Sequence, residues 1–156
     1  MLFTGHTVDA KNPSGVEKSM YYNASSAAFP HAFREMCKFA ATANSEGVSF
    51  GTGTTPPTVN DYSLEAIISS GLTVATPSVT TVTQTDSYLE ATVTFGVRAS
   101  VETTITEIGY KMACSIPSST DTFLIDRTVL DEPITIPAGQ SKQITYTIRF
   151  NCGDAS

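Results

Sequence analysis

The chain contains no tryptophan, and only 3 of its 156 residues are cysteine. Cys37, Cys114 and Cys152 lie far apart, and an odd count without short spacing argues against a disulfide framework or a zinc site. Reduced, structural thiols are the expectation, as in a cytosol. Charge is also scarce: Asp, Glu, Lys and Arg make up 15% of the chain, below the ~25% usual in soluble domains. Neutral polar groups, threonine above all, must therefore cover the surface. Such a surface is weakly protected against association, which favours a protein that works inside an assembly. The net charge is −6 and no basic run occurs, so nucleic acid is not an expected partner. No apolar run approaches the ~20 residues of a membrane span, so no membrane partner is expected. The opening stretch MLFTGHTVDAKNPSG lacks the basic and apolar regions of a secretion signal. The sequon Asn23-Ala24-Ser25 is accordingly read as without consequence.

A hydrophobic fraction of 40% is enough for a real core, and a domain of this length buries roughly 70% of its unfolded surface. Residues 1–24 read as an irregular arm, with a turn at Asn12-Pro13-Ser14-Gly15. Residues 26–42 read as a helix. Phe29, Ala32, Phe33, Met36, Cys37 and Ala40 recur at helical spacing, with His31, Arg34, Glu35 and Lys38 on the other side. Asn44-Ser45-Glu46-Gly47 ends it.

Beyond residue 47 the periodicity changes to two. In 88–98, Leu89, Ala91, Val93, Phe95 and Val97 alternate with polar residues. In 142–150, Ile144, Tyr146, Ile148 and Phe150 do the same. Segment 102–113 changes phase between Ile105 and Ile108, which predicts a bulge or bend near Glu107. Segment 122–130 is apolar on both faces and is expected deep in a sheet. Ile134 and Ile136 form a short strand, and Pro137-Ala138-Gly139-Gln140 turns into the last one. Weaker strands are read within 66–84. The expectation is a mainly β protein: an antiparallel, jelly-roll-like β-sandwich over 47–156, preceded over 1–46 by an arm and one helix.

The stretch GTGTTPPTVNDYSLE, residues 51–65, poses the sharpest chemical question. Glycines and threonines before a helix start can cradle phosphate. Here Pro56 and Pro57 donate no N–H, no lysine lies between Lys38 and Lys111, and the glycine spacing fits no dinucleotide pattern. The plainer reading is a stiff connector. Gly51 and Gly53 allow a close approach or unusual backbone angles. Thr58 and Asp61 fit a capping box for a short helix over Val59–Glu65. Asp61 and Glu65, one turn apart, could act as acid and base or hold a cation, but suit a solvated helix face better. His6 and His31 form no ligand motif, and no nucleophile elbow occurs. No catalytic, cofactor-binding or metal residue is assigned. Tyr21, Tyr22, Tyr62 and Tyr88 could serve a glycan, but packing explains each equally well.

The ordered motifs GTGTTPPTVNDYSLE, ITEIGY, FLIDRTVL and ITIPAGQSKQITYTIRF resemble small virion structural proteins of tailed bacteriophages. The likeness covers roughly 47–150. Tyr110 departs from it where leucine is expected, and keeps an apolar position. The resemblance implies a non-enzymatic, homo-oligomeric component of the tail or neck, assembled in the host bacterial cytoplasm. Its implied partners are copies of itself and other virion proteins. A capsid decoration protein is the alternative; a carbohydrate- or receptor-binding module on a host-surface glycan is another.

Overall fold

The computed structural model describes residues 7–11, 15, 17–21, 40–42, 45–75, 78–84, 88–116 and 119–151. Within them the chain is mainly β, with nine strands: β1 (Thr7–Lys11), β2 (Glu17–Tyr21), β3 (Gly47–Gly51), β4 (Leu72–Val74), β5 (Ser78–Gln84), β6 (Tyr88–Ala99), β7 (Thr103–Ile116), β8 (Ser119–Ile136) and β9 (Ser141–Asn151). The expected helix over 26–42 falls outside the described residues except at 40–42, and those three are not helical. Instead Ala40 is fully buried and donates its N–H to Val48 of β3 at 2.8 Å.

The arm reading needs correction. β1 and β2 pair as an antiparallel hairpin whose register sets Lys11 opposite Glu17. Of the turn signal at 12–15, residues 12–14 lie outside the described residues, and Gly15 adopts a φ of 78°. Each strand is only five residues long; β1 alternates only through Val8 and Ala10, and β2 does not alternate, so the signal is too short to mark a strand.

Two further antiparallel sheets hold the core. In one, β7 lies between β3 and β8. In the other, β6 is central. β9 runs along one edge of it from Tyr88 to Arg98. β4 and β5 share the opposite edge, β4 against 97–99 and β5 against 89–94. The pairing is nested, β7 with β8 inside β6 with β9. Alternation explains the second sheet directly. Ala91, Val93, Phe95, Val97 and Ala99 of β6, with Ile144, Tyr146 and Ile148 of β9, are buried. The other face carries cross-strand pairs: Thr92 with Thr147 at 2.9 Å, Thr94 with Thr145 at 3.2 Å, and Glu90 with Arg149 at 2.7 Å. Such pairs stabilise a wet face without apolar burial.

Residues of both sheets join one apolar cluster, which includes Val48, Phe50, Ile105, Ile108, Tyr110 and Ile136. Phe50 and Phe95 meet edge to face at 5.9 Å across it, a favoured aromatic geometry. The phase change in β7 is real, but the extra residues lie on its partner. Ile105 pairs with Ile134 and Glu107 with Val129, so residues 130–133 of β8 bulge out, Pro133 among them. A second irregularity, between Tyr110 and Lys111, extrudes Ile125. Segment 122–130 is therefore not deep in the sheet. It belongs to an edge strand in which Phe123 is buried and Ile125 is 37% exposed.

Candidate functional site

The connector from β3 to β4 is where charge concentrates. No helix forms over Val59–Glu65. The capping pattern closes a tight turn instead. Asp61 accepts the Thr58 N–H at 3.0 Å and the Thr58 hydroxyl at 2.9 Å, and the Asp61 N–H returns to the Thr58 carbonyl at 3.1 Å. The Thr58 oxygen accepts from Asn60 at 3.3 Å. With Asp61 already satisfied within the turn, nothing drives another turn of helix, and Val59 is left fully exposed at the tip.

Two side chains from distant strands organise the rest. Glu107 of β7 is fully buried. Its Oε1 accepts N–H groups from Gly53 at 3.1 Å and Ala66 at 2.8 Å, and its Oε2 accepts the Glu65 N–H at 3.2 Å. Arg127 of β8, its side chain 5% exposed, donates Nε to Glu107 Oε2 at 2.8 Å. Its Nη1 reaches Asp61 at 2.7 Å, and its Nη2 reaches the Thr55 carbonyl at 3.0 Å and Glu65 at 3.3 Å. Glu65 in turn accepts N–H groups of Thr54 and Thr55, both at 2.9 Å, and the Thr55 hydroxyl at 2.9 Å.

The connector is thus an anion cradle after all, filled by the protein's own carboxylates. Five backbone N–H groups converge on Glu65 and Glu107, and the guanidinium stands where a cation would. Gly51 and Gly53 make room for it. A Cβ on Gly51 would lie 2.4 Å from Glu107 Oε1, and one on Gly53 would lie 2.7 Å from the same oxygen. Close approach, not a left-handed backbone, is the reason for both glycines.

The electrostatics follow the contacts. The Thr58 N–H, then Arg127, holds the Asp61 carboxyl below its ordinary range. The Thr55 N–H and hydroxyl do the same for Glu65. Burial alone would lower the Arg127 pKa, but hydrogen bonds to Glu107 and Asp61 outweigh it and raise the value. The charged forms of Asp61, Glu65 and Arg127 are thereby favoured, and these side chains turn their hydrogen bonds inward. Beside them lies a shallow depression of about 190 Å³ lined by Pro57, Thr58, Val59, Asp61, Ile125 and Arg127, among others.

Elsewhere, Lys111 of β7 is buried and donates Nζ to the Thr42 carbonyl at 2.5 Å. Burial lowers its pKa to about 8. Tyr146 donates to Asp126 at 2.8 Å, and burial, then the Asp126 charge, pushes its hydroxyl pKa up.

Asp61 and Glu65 do meet, on one guanidinium rather than on a helix face. Tyr62 is 38% exposed. His6, His31, Cys37, Cys152 and Tyr22 lie outside the described residues, as do the side chains of Cys114, Tyr21 and Tyr88. Glu107 and Arg127 are the residues that sequence reasoning missed. Their signals were a carboxylate at the phase break of an apolar strand and an arginine inside FLIDRTVL, each needing an opposite charge if buried. Among the described residues no cluster of His, Cys, Asp and Glu suits a metal ion. Comparison with known proteins adds no relative: no family model, curated protein or solved structure matches the chain.

Proposed function

We propose that this protein is a non-enzymatic structural component of a bacteriophage virion, working as a homo-oligomer in the tail or neck. The observation that carries the reading is how the densest charged cluster is used. Asp61, Glu65, Glu107 and Arg127 spend their hydrogen bonds on fixing a connector to two strands. That suits a scaffold whose loops must present one rigid shape to neighbours. The ordered motifs over 47–150 support the same assignment by resemblance, and the sparse charge suits life within an assembly. On this reading the two sheets form a β-sandwich, and the nested pairing of β6–β9 around β7–β8 is the element a jelly roll repeats.

Mass spectrometry of purified particles tests the proposal. The protein should be present at tens of copies per particle. Hundreds of copies would move it to the capsid surface as a decoration protein. Absence from particles, together with glycan binding lost on Tyr62→Ala, would replace the virion reading with a binding module.

A further inference from the structure

The sheet edges of this protein are protected unequally. An open edge offers unpaired N–H and C=O groups to any strand that approaches, so proteins cover, charge or bend their edges. The outer edge of β3 is covered by the chain itself. Val48, Phe50 and Gly51 receive Ala40, Ile68 and Ile67 respectively, and Thr52 donates to Ala66. β8 is blunted by its two bulges and by Pro133, with Asp131 and Glu132 exposed in the larger bulge. β5 carries a register break between Val79 and Thr81.

Among the described residues, β9 shows none of these devices. It pairs with β6 in unbroken register over 11 residue pairs. It contains no proline and no acid. Of its two cations, Lys142 lies next to the entering turn, and Arg149 is drawn to Glu90. Among the described residues, nothing pairs with its outer side.

We infer that the outer edge of β9 is a self-association site that takes β9 of a second copy, antiparallel, about a two-fold axis normal to the sheet. Such an axis keeps each face of the sheet on its own side. Buried Ile144, Tyr146 and Ile148 would continue into the same residues of the second copy, and the threonine face into threonines. Centred on Tyr146, the register sets Ile144 opposite Ile148, Thr145 opposite Thr147, and Gln143 opposite Arg149 of the second copy. No like charges then face each other. The edge is about 37 Å long at ~3.4 Å per residue. With a depth of about 10 Å it supplies roughly 370 Å², half of the ~800 Å² per partner usual in stable interfaces. The Tyr146–Asp126 hydrogen bond sets the blunted β8 beside β9, so β9 carries the contact, which falls in the small, weak size class and should need micromolar concentration. The inference rests on edge geometry and stands apart from the virion assignment.

The test uses the purified full chain. Sedimentation should show a dimer. Thr145→Lys/Thr147→Lys and Thr145→Glu/Thr147→Glu change exposed side chains only. Each should sediment as a monomer with an unchanged circular dichroism spectrum, and mixing the two should restore a dimer. On the native chain, amide exchange at alternate residues of 143–149 should slow at least about tenfold from low to high micromolar concentration. That measurement also decides the matter if either variant fails to fold. A native monomer at high micromolar concentration overturns the inference. So does an oligomer that survives both charge variants, or exchange in β9 that ignores concentration.

Discussion

Replacing Glu107 with glutamine alters one buried oxygen and should destabilise the whole domain. Four donors converge on this carboxylate, three from the backbone and one from Arg127. A glutamine of the same size keeps one accepting oxygen and turns an NH₂ towards groups that also donate. Breaking a buried ion pair costs ~3–5 kcal/mol, and an orphaned buried donor costs ~1–3 kcal/mol. Arg127 keeps Asp61 and Glu65, which places the net loss near the lower end, about 3 kcal/mol. That is a large part of the ~5–15 kcal/mol by which a domain is stable, and for this size it lowers Tm by roughly 6–12 °C. Urea denaturation followed by circular dichroism, with Arg127→Met and the double variant, isolates the pair. The two single losses should exceed the double loss by about 2 kcal/mol. A coupling below about 0.5 kcal/mol at unchanged m-value would refute the argument that the pair is shielded from water.

Other expectations follow from single contacts. Folding lowers the Lys111 pKa to about 8 from 10.5, so between those values the unfolded chain holds more protons and stability rises with pH. The gain is at most ~3 kcal/mol, and less where solvent screens the amine. Tyr146, whose pKa folding raises, reverses the trend above its ordinary value of 10. Denaturant midpoints at pH 7.5 and 9.5 should therefore differ in the native chain and much less in Lys111→Met. Gly51→Ala forces a Cβ against Glu107 and the Ala66 carbonyl and should cost ~1–3 kcal/mol. Gly109→Ala meets the end of Leu64 first and the Asp126 carbonyl only at 3.1 Å, against 2.8 Å to the Ala66 carbonyl at Gly51, so its urea midpoint should fall less. Ile125→Ser, in a bulge, should change stability by under ~0.5 kcal/mol, whereas Phe123→Ala two residues earlier should lose ~3–5 kcal/mol.

The strands of the second sheet were legible because β6 and β9 each bury one face, so period two survives in their residues. The Pro137–Gln140 turn was legible from its chemistry; Gly139 there adopts a φ of 75°. β8 was misread because an edge strand with two bulges shifts its apolar residues between faces, and no local pattern reports where a strand bends. The hairpin of β1 and β2 was missed because its strands are five residues each, and the alternation of β1 rests on two small apolar side chains, Val8 and Ala10. At the site, Asp61 and Glu65 were visible as a pair, but helical spacing suggested a face that never forms. Their true partner lies in a strand more than sixty residues away, a separation no spacing rule covers. The sheet that carries Glu107 and Arg127 had to exist before the loop could be understood.

That separation sets a timetable for synthesis. The connector leaves the ribosome well before its anchors: Gly53 waits for a residue 54 positions later, and Thr55 for one 72 positions later. At ~5–20 residues per second, the second wait lasts roughly 4–14 s. Until β7 is in place, the three amides that Glu107 accepts can only be hydrated, whereas Thr54, Thr55 and Thr58 find Glu65 and Asp61 within the connector. The connector is among the first parts of this half of the chain to be made and among the last to take its shape. A nascent chain halted before Glu107 would hold the full GTGTTPPTVNDYSLE stretch and its local turn, but neither of the strand residues that anchor it.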